Sequence, residues 1–199
     1  MMNHFYSNNI ILENDIVRLV PFKEHYIEQL KKIIYDEEVY YTIECKNEDD
    51  LERYVAETTE QRKMGNSYPF IIVDKRTNEV AGSTRYGNIQ FNNKRLEIGW
   101  TWYGKPFRGT GLNFACKYEL LRYAFEVMNI RRVQFSADIE NIRSQNAIKK
   151  LGATQEGIFR ANYINSSGQS RDDVYFSIIY KEWEKIKKSV FKEFAKQID

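Results

Sequence analysis

Cysteine and histidine are scarce in this sequence of 199 residues, which contains two of each. The four residues form neither a CxxC pair nor the spacing of a zinc site. A disulfide framework and a structural zinc site are therefore excluded. We expect two reduced thiols, at Cys45 and Cys116, and no bound metal.

Long apolar runs are also missing, since no stretch approaches the roughly 18 consecutive apolar residues of a membrane-spanning helix. Residues 1–9 are polar and lack the basic start and apolar run of a signal peptide. These absences predict a cytoplasmic protein with no membrane partner.

An excess of charge of one sign is absent as well. The 30 basic and 28 acidic residues leave a net charge of +2, whereas nucleic-acid-binding surfaces cluster basic residues on one face. We therefore expect no nucleic-acid partner. The length, with 42% hydrophobic and 15% aromatic residues, predicts one domain over residues 1–199.

Strand and helix patterns alternate along the chain. Apolar and alternating runs predict strands at 16–22, 69–74, 80–86, 96–103, 132–137, 154–160 and 174–180. Periodic apolar positions predict a helix after residue 22 and helices over about 47–65, 113–128, 143–151 and 181–197, the last at the C-terminus. The chain therefore has an α+β (α/β) pattern.

A glycine turn, Arg108 to Asn113, joins a predicted strand to a predicted helix. Gly109 and Gly111 permit positive φ, and a helix that begins there leaves its first N–H groups without intrahelical partners. With Arg108 and the Thr110 hydroxyl, such a turn suits a phosphate or pyrophosphate. A tight connection that binds nothing is the alternative. The spacing excludes a Walker A loop and a dinucleotide fingerprint.

The turn matches the pattern Arg/Gln-x-x-Gly-x-Gly/Ala, and it resembles the pyrophosphate loop of the GNAT N-acetyltransferases. The run Asp138 to Ala153 and the pair Glu156-Gly157 resemble later motifs of the branch typified by the ribosomal-protein N-terminal acetyltransferases. Asn113 departs from the usual Gly or Ala, but a sub-branch with Gly-Thr-Gly-x-Asn-x-x-x-Lys is similar, and Lys117 completes that match. The resemblance covers about residues 10–185.

This resemblance implies the GNAT fold, a mixed central sheet of about six or seven strands with helices on both faces. It implies acetyl-CoA as the acyl donor and no metal. The strand before the turn would bind pantetheine through main-chain groups, the turn would bind pyrophosphate, and the start of the later helix would complete the cofactor site. The residues implied are Trp100, Thr101, Trp102, Arg108, Gly109, Thr110, Gly111, Leu112, Asn113, Asn141, Arg143 and Ser144.

Two residues are candidates for the chemistry of amide formation from a thioester, which needs a neutral amine and benefits from an acid for the leaving thiolate. Glu97 lies between apolar Leu96 and Ile98, a setting that raises a carboxyl pKa, and it aligns with the GNAT base glutamate. The alternative is a solvent-facing glutamate. The tyrosine that many members use as the acid is replaced by Ile148, and Ser144, one turn earlier, is the substitute. Helix capping is the alternative role for Ser144 and for Asn141.

The predicted function is transfer of an acetyl group from acetyl-CoA to a primary amine, either a protein N-terminus or a small amine. A non-catalytic acyl-CoA-binding module is the alternative. Acceptor specificity would come from residues 35–44 and 163–171, where Glu37, Glu38 and Glu44 could attract a cationic amine. The oligomeric state is open between a monomer and a homodimer.

Overall fold

The structure is a computed structural model that describes residues 2–165 and 167–195. Its helices are α1 (Met2–Ser7), α2 (Ile27–Ile34), α3 (Glu37–Ile43), α4 (Glu48–Lys63), α5 (Leu112–Arg122), α6 (Ile142–Lys150), α7 (Tyr180–Ser189) and α8 (Lys192–Ala195). Its strands are β1 (Leu12–Glu13), β2 (Val17–Pro21), β3 (Ser67–Asp74), β4 (Glu79–Gln90), β5 (Arg95–Tyr103), β6 (Arg132–Asp138), β7 (Thr154–Ile164) and β8 (Ser170–Ile179).

The strands form one mixed sheet in the order β1-β2-β3-β4-β5-β6-β8-β7. Strands β1 to β4 pair antiparallel with their neighbours in the chain, β5 pairs parallel with β6, and β8 pairs antiparallel with β6 and β7. The predicted mixed α/β fold is confirmed, with eight strands rather than about six or seven. The additional strand, β1, has two residues, too few for an alternating pattern to reveal it.

The chain divides into two compact units. The first comprises Met1–Ile89 and Ile98–Leu120, and the second comprises Gln90–Glu97 and Leu121–Asp199. Strand β5 contributes to both, because the boundary falls between Glu97 and Ile98. The single domain predicted over residues 1–199 stays a prediction.

The core of the first unit is formed where α2, α3 and α4 cover β2 and β3. Leu30 and Ile34 of α2 are fully buried, as their helical spacing predicts, and they share one apolar cluster with Leu51 of α4. The predicted N-cap of α4 is confirmed, since the Asn47 side chain accepts a hydrogen bond from Asp50 N at 3.0 Å. Ile71 of β3 belongs to the same cluster and contributes to it from the sheet.

The core of the second unit contains Trp183 of α7, whose ring stacks on Phe125 with 5.4 Å between centroids. Its Nε1 donates to Glu126 Oε1 at 2.8 Å, so the buried indole N–H is satisfied. One terminal helix over 181–197 was predicted, and the structure has α7 and α8 there instead. Residues 196 and 197 of that prediction lie outside the described residues.

The long helix predicted over 113–128 is observed as α5 followed by a π-helical segment, Tyr123–Val127. Cys45 and Cys116 are both free thiols, as predicted, and the structure places both in buried positions. Across residues 2–165 and 167–195, no helix combines the length and the apolar character needed to cross a membrane.

Candidate functional site

The turn between β5 and α5 has the backbone that the sequence predicts. Gly109 and Gly111 have φ of 72° and 83°, a conformation that glycine adopts without steric strain. A Cβ atom at either position would meet nothing within 4 Å, so the turn borders open space. Among the described residues, none accepts a hydrogen bond from the N–H groups of residues 109–113. Donors without an acceptor at a helix start form an anion-binding geometry.

The start of α5 differs in detail from the prediction. The helix begins at Leu112, and the Gly111 carbonyl accepts hydrogen bonds from Phe114 N at 3.0 Å and Ala115 N at 3.2 Å. Asn113 is thus the second residue of the helix. The Thr110 hydroxyl donates to Phe107 O at 2.8 Å, which engages it within the turn. Main-chain N–H groups therefore remain as the donors for an anion at this turn.

Arg108 is engaged by the protein itself. Its guanidinium pairs with Asp36 Oδ1 at 2.7 Å and with Glu38 Oε2 at 2.9 Å, and its Nε donates to Tyr103 O at 2.9 Å. These contacts tie the segment between α2 and α3 to the glycine turn. The hydrogen bond from Arg108 lowers the pKa of Asp36 below its usual range. An anion at the turn would have to compete with two carboxylates for this guanidinium.

A second cation, Arg76, lies at the turn, and the sequence analysis did not reveal it. Arg76, in the connection between β3 and β4, donates from Nη1 to Thr110 O at 3.3 Å. Its other nitrogens bind the buried Asp74, with Nε to Oδ1 at 2.8 Å and Nη2 to Oδ2 at 2.5 Å. Arg76 is 34 positions from Thr110 in the chain, so no local motif could indicate the contact.

The second half of β5 has an unusual backbone and contacts a buried lysine of α5. Trp100 has a φ of 50°, and Trp102 is buried and donates from Nε1 to Tyr54 OH at 3.2 Å. Thr101 accepts a hydrogen bond from Lys117 Nζ at 2.6 Å. Burial lowers the pKa of Lys117 to about 8, and the described residues supply it with hydroxyl partners but no carboxylate.

Glu97, the predicted base, lies in the second unit. Its side chain is buried, being 5% exposed, so the alternative of a solvent-facing glutamate is wrong. Ser136 Oγ donates to Oε1 at 2.8 Å, and Gln134 Nε2 donates to Oε2 at 3.1 Å. The apolar setting expected from Leu96 and Ile98 is also wrong, because adjacent side chains in a strand point to opposite faces of the sheet.

The start of α6 carries the other predicted residues of the second unit. Asn141 caps the helix, accepting from Ser144 N at 2.9 Å, which confirms its capping role. The Ser144 hydroxyl has no hydrogen-bond partner among the described residues, so it does not itself cap the helix. Arg143 is exposed, and Ile148 is buried. Ser144 is therefore the residue of α6 with a hydroxyl available for proton donation.

Polar residues of β7 and β8 that the sequence analysis missed also belong to the second unit. Asn162 Nδ2 donates to Asp173 Oδ2 at 2.8 Å and to Tyr175 OH at 3.2 Å. Burial is the largest cause that raises the pKa of Asp173, and the negative charges of Asp138, Glu97 and Asp172 raise it further. Ser136 pairs with Tyr175 across β6 and β8, a register that the sequence alone does not specify.

The predicted residues thus fall into two groups, one in each unit. The first unit holds the cofactor candidates of β5 and the turn, and the second holds Glu97, Asn141, Arg143 and Ser144. In the part of the chain that the structure describes, no three His, Cys, Asp or Glu side chains are grouped so as to hold a metal ion.

Comparison with known proteins gives one family over most of the chain. Residues 17–154 match the profile of the acetyltransferase (GNAT) domain. A solved acetyltransferase-like structure from T. thermophilus is 31% identical, with a TM-score of 0.81, covering 92% of this chain and 96% of that one.

Two curated proteins are also similar. The proposed ribosomal N-acetyltransferase YdaF of Bacillus subtilis (strain 168) is 34% identical over 106 residues, 53% of this chain and 56% of the relative. The [ribosomal protein uS5]-alanine N-acetyltransferase of Escherichia coli (strain K12) is 26% identical over 125 residues, 62% of this chain and 63% of the relative. The matches span less than two thirds of these relatives' own lengths.

Proposed function

The chain belongs to the GNAT acetyltransferase family, and from that premise we propose that it transfers the acetyl group of acetyl-CoA to a primary amine. The acceptor amine attacks the thioester directly, without a covalent enzyme intermediate. The new C–N bond forms as the C–S bond breaks, and the products are an amide and free CoA.

The observation that carries the proposal is the glycine turn at the start of α5. Its N–H groups, at residues 109–113, have no acceptor among the described residues, and a Cβ atom added at Gly109 or Gly111 would meet open space. Five such donors at a helix N-terminus fit a pyrophosphate, because both the N–H groups and the helix dipole favour negative charge. The main chain of Trp100, Thr101 and Trp102 is proposed to bind the pantetheine arm. Asn141 and Arg143 are proposed as further cofactor ligands.

Glu97 is proposed as the base that takes the proton from the attacking amine, directly or through a water molecule. Hydrogen bonds from Ser136 and Gln134 fix the carboxylate in one orientation, which favours proton transfer in a defined direction. Ser144 is proposed to donate its hydroxyl proton to the departing thiolate. The proton balance closes when, after the products leave, Glu97 releases its proton to solvent and the serine recovers one from solvent.

A protein N-terminus is the acceptor class that we favour. The similar protein from Escherichia coli is named for acetylating an alanine of ribosomal protein uS5, and YdaF is named as a proposed ribosomal N-acetyltransferase. A small amine is the second acceptor class.

A thiol-release assay with acetyl-CoA tests the function across N-terminal peptides and small amines. We expect acetyl-CoA-dependent release of CoA with at least one acceptor, and loss of release in Glu97→Gln. Calorimetry with acetyl-CoA separates the alternatives, because saturable binding without transfer to any amine would favour the non-catalytic module. The absence of both binding and transfer at millimolar acetyl-CoA would reject the proposal as a whole.

A further inference from the structure

Trp100 of β5 combines backbone strain with an exposed ring. Its φ is 50°, in the left-handed region that bulky residues rarely adopt. Its side chain is 41% exposed, although indole rings in folded proteins are mostly buried. Backbone strain of this kind persists only where the surrounding structure enforces it, and it concentrates at functional sites. The strain holds a large aromatic surface toward solvent three residues after Glu97 in the chain.

The indole ring of Trp100 packs against Gly87 of β4. A Cβ atom at Gly87 would lie 2.4 Å from Cζ3 and 2.6 Å from Cη2 of Trp100, closer than real Cβ contacts allow. The absence of a side chain at residue 87 therefore permits the ring to pack against the strand at this position. Any larger residue would displace the indole.

Arg85, two residues earlier on β4, places a guanidinium beside the same ring. Its Cζ lies 5.5 Å from the ring centroid of Trp100. Among the described residues, its buried Nε atom has no hydrogen-bond partner, and its guanidinium donates one hydrogen bond, a long contact of 3.4 Å from Nη2 to Thr58 Oγ1. Within residues 2–165 and 167–195, no carboxylate forms an ion pair with Arg85. A guanidinium with unused donors in a partly buried position is unusual, because such groups are normally paired.

We propose that Arg85, Trp100 and Gly87 form a binding site for a carboxylate carried by the acceptor. The proposal rests on the proposed acetyl transfer and names the class of acceptor: a primary amine whose own molecule bears a negatively charged carboxylate. The carboxylate accepts hydrogen bonds from the free donors of Arg85, while the indole face packs against the neighbouring part of the acceptor.

Carboxylate is the ligand chemistry that these groups favour. The planar guanidinium presents parallel N–H donors that match the two oxygens of a carboxylate. An indole ring beside the pair restricts water, which strengthens a charged hydrogen bond. The carboxylate could belong to an acidic peptide side chain or to a free amino acid.

Matched acceptor pairs test this site. One arm uses peptides with Glu at one of the first four positions, each paired with its Gln counterpart, and the other uses amino acids paired with their carboxamides. The variants are Arg85→Gln, Arg85→Lys and Gly87→Ala. Arg53→Gln is the control, because it also removes one positive charge, from an α4 side chain that is 62% exposed. Thiol release gives kcat/KM, and calorimetry gives carboxylate-peptide binding in the presence of CoA.

The wild-type protein should prefer the carboxylate member of at least one pair by about ten- to a hundred-fold in kcat/KM, the range of a hydrogen-bonded charge. Arg85→Gln should remove the preference by lowering only the carboxylate acceptor. Arg85→Lys should keep part of it, Gly87→Ala should reduce it, and Arg53→Gln should keep it. The arm that shows the preference identifies the source of the carboxylate.

The two proposals can fail separately. Acetyl transfer without a carboxylate preference, or an equal loss for both members of each pair in Arg85→Gln, overturns the carboxylate site and leaves the reaction intact. If no amine is acetylated but a carboxylate peptide binds with an affinity that Arg85→Gln lowers, the reaction fails and the site stands. The absence of both transfer and Arg85-dependent binding overturns both.

Discussion

Arg108 donates from Nη2 to Oδ1 of Asp36 at 2.7 Å, although the two residues are 72 positions apart in the chain. The same guanidinium pairs with Glu38 at 2.9 Å. The pairing joins two features that the sequence suggested separately, a cation for the cofactor's pyrophosphate and acidic residues near the acceptor. A cofactor bound at the turn, as proposed, would therefore compete with the carboxylates for one guanidinium.

Asp36→Asn should therefore raise the affinity for acetyl-CoA a few-fold, because it releases Arg108 from its shortest ion pair, while Arg108→Ala should lower that affinity. Glu38→Gln should have a smaller effect than Asp36→Asn, because the Glu38 side chain is 49% exposed and its ion pair is weakened by solvent. Calorimetry on the single variants and on the double variant measures the coupling. Asp36→Asn should have no effect on affinity in the Arg108→Ala background. A loss of affinity in Asp36→Asn equal to that in Arg108→Ala would contradict competition.

Local patterns predicted most of the fold because they depend on near neighbours in the chain. The helical spacing of Leu30 and Ile34, the cap at Asn47 and the two glycines of the turn all have the structural roles that their spacing predicted. Strand β1 was missed because an alternation of apolar and polar residues cannot be recognised in only two residues.

Long-range partners could not be predicted in the same way. The neighbours of Glu97 are set by its pairing with β6, which brings Gln134 and Ser136 beside it. The sequence around Glu97 shows only Leu96 and Ile98, whose side chains point to the other face. The burial of Lys117 beside hydroxyls was hidden for the same reason, since Thr84 is 33 positions away.

Gly111→Ala tests the anion-binding turn, with Gly168→Ala as its matched control. Gly168 has a φ of 78° and, like Gly111, would present a Cβ with no atom within 4 Å. Both substitutions should lower the free energy of unfolding by about 1 kcal/mol through left-handed strain alone. Only Gly111→Ala should also weaken acetyl-CoA binding, by about tenfold, because it shifts the N–H groups of the turn. Equal affinities in the two variants would exclude the turn from cofactor binding.

Lys117 should give the protein a stability that rises with pH. Burial lowers its pKa from 10.5 to about 8, so the folded state releases this proton before the unfolded state does. The penalty for burying the ammonium is present in full below pH 8 and disappears as the pH rises to 10.5. Relative to Lys117→Met, the wild-type free energy of unfolding should rise by about 3 kcal/mol over that interval.

Chemical denaturation from about pH 7 to the ordinary lysine pKa measures this difference, and subtraction of the variant removes the contribution of other groups that titrate in the same interval. Lys188→Met serves as the control, because its side chain is 78% exposed and its removal should leave the pH dependence unchanged. A difference between wild type and Lys117→Met that stays constant with pH would show that the buried amine keeps an ordinary pKa.

Glu97 and Ser144 are the residues to which we assign the chemistry, and their variants should differ in pH dependence. Glu97→Gln should lower kcat by about 100 to 10,000-fold near neutral pH and leave acetyl-CoA binding nearly unchanged. It should move the acidic limb of the kcat/KM profile to higher pH, and activity should recover in part there, where the acceptor amine loses its proton without help. Ser136→Ala, which removes the hydrogen bond from Ser136 Oγ to the carboxylate, should lower kcat less and keep the limb in place.

Ser144→Ala should keep the shape of the profile and lower its height, because a proton donor to the thiolate does not control the ionisation of the amine. Its loss should shrink with an acyl donor whose thiol is a better leaving group, since that thiolate needs less assistance. Asn141→Ala separates this role from helix capping: it should lower stability by about 1 kcal/mol without the dependence on the leaving group. Wild-type turnover in Glu97→Gln at every pH would eliminate Glu97 as the base, and the rate would then come from positioning of the amine against the thioester.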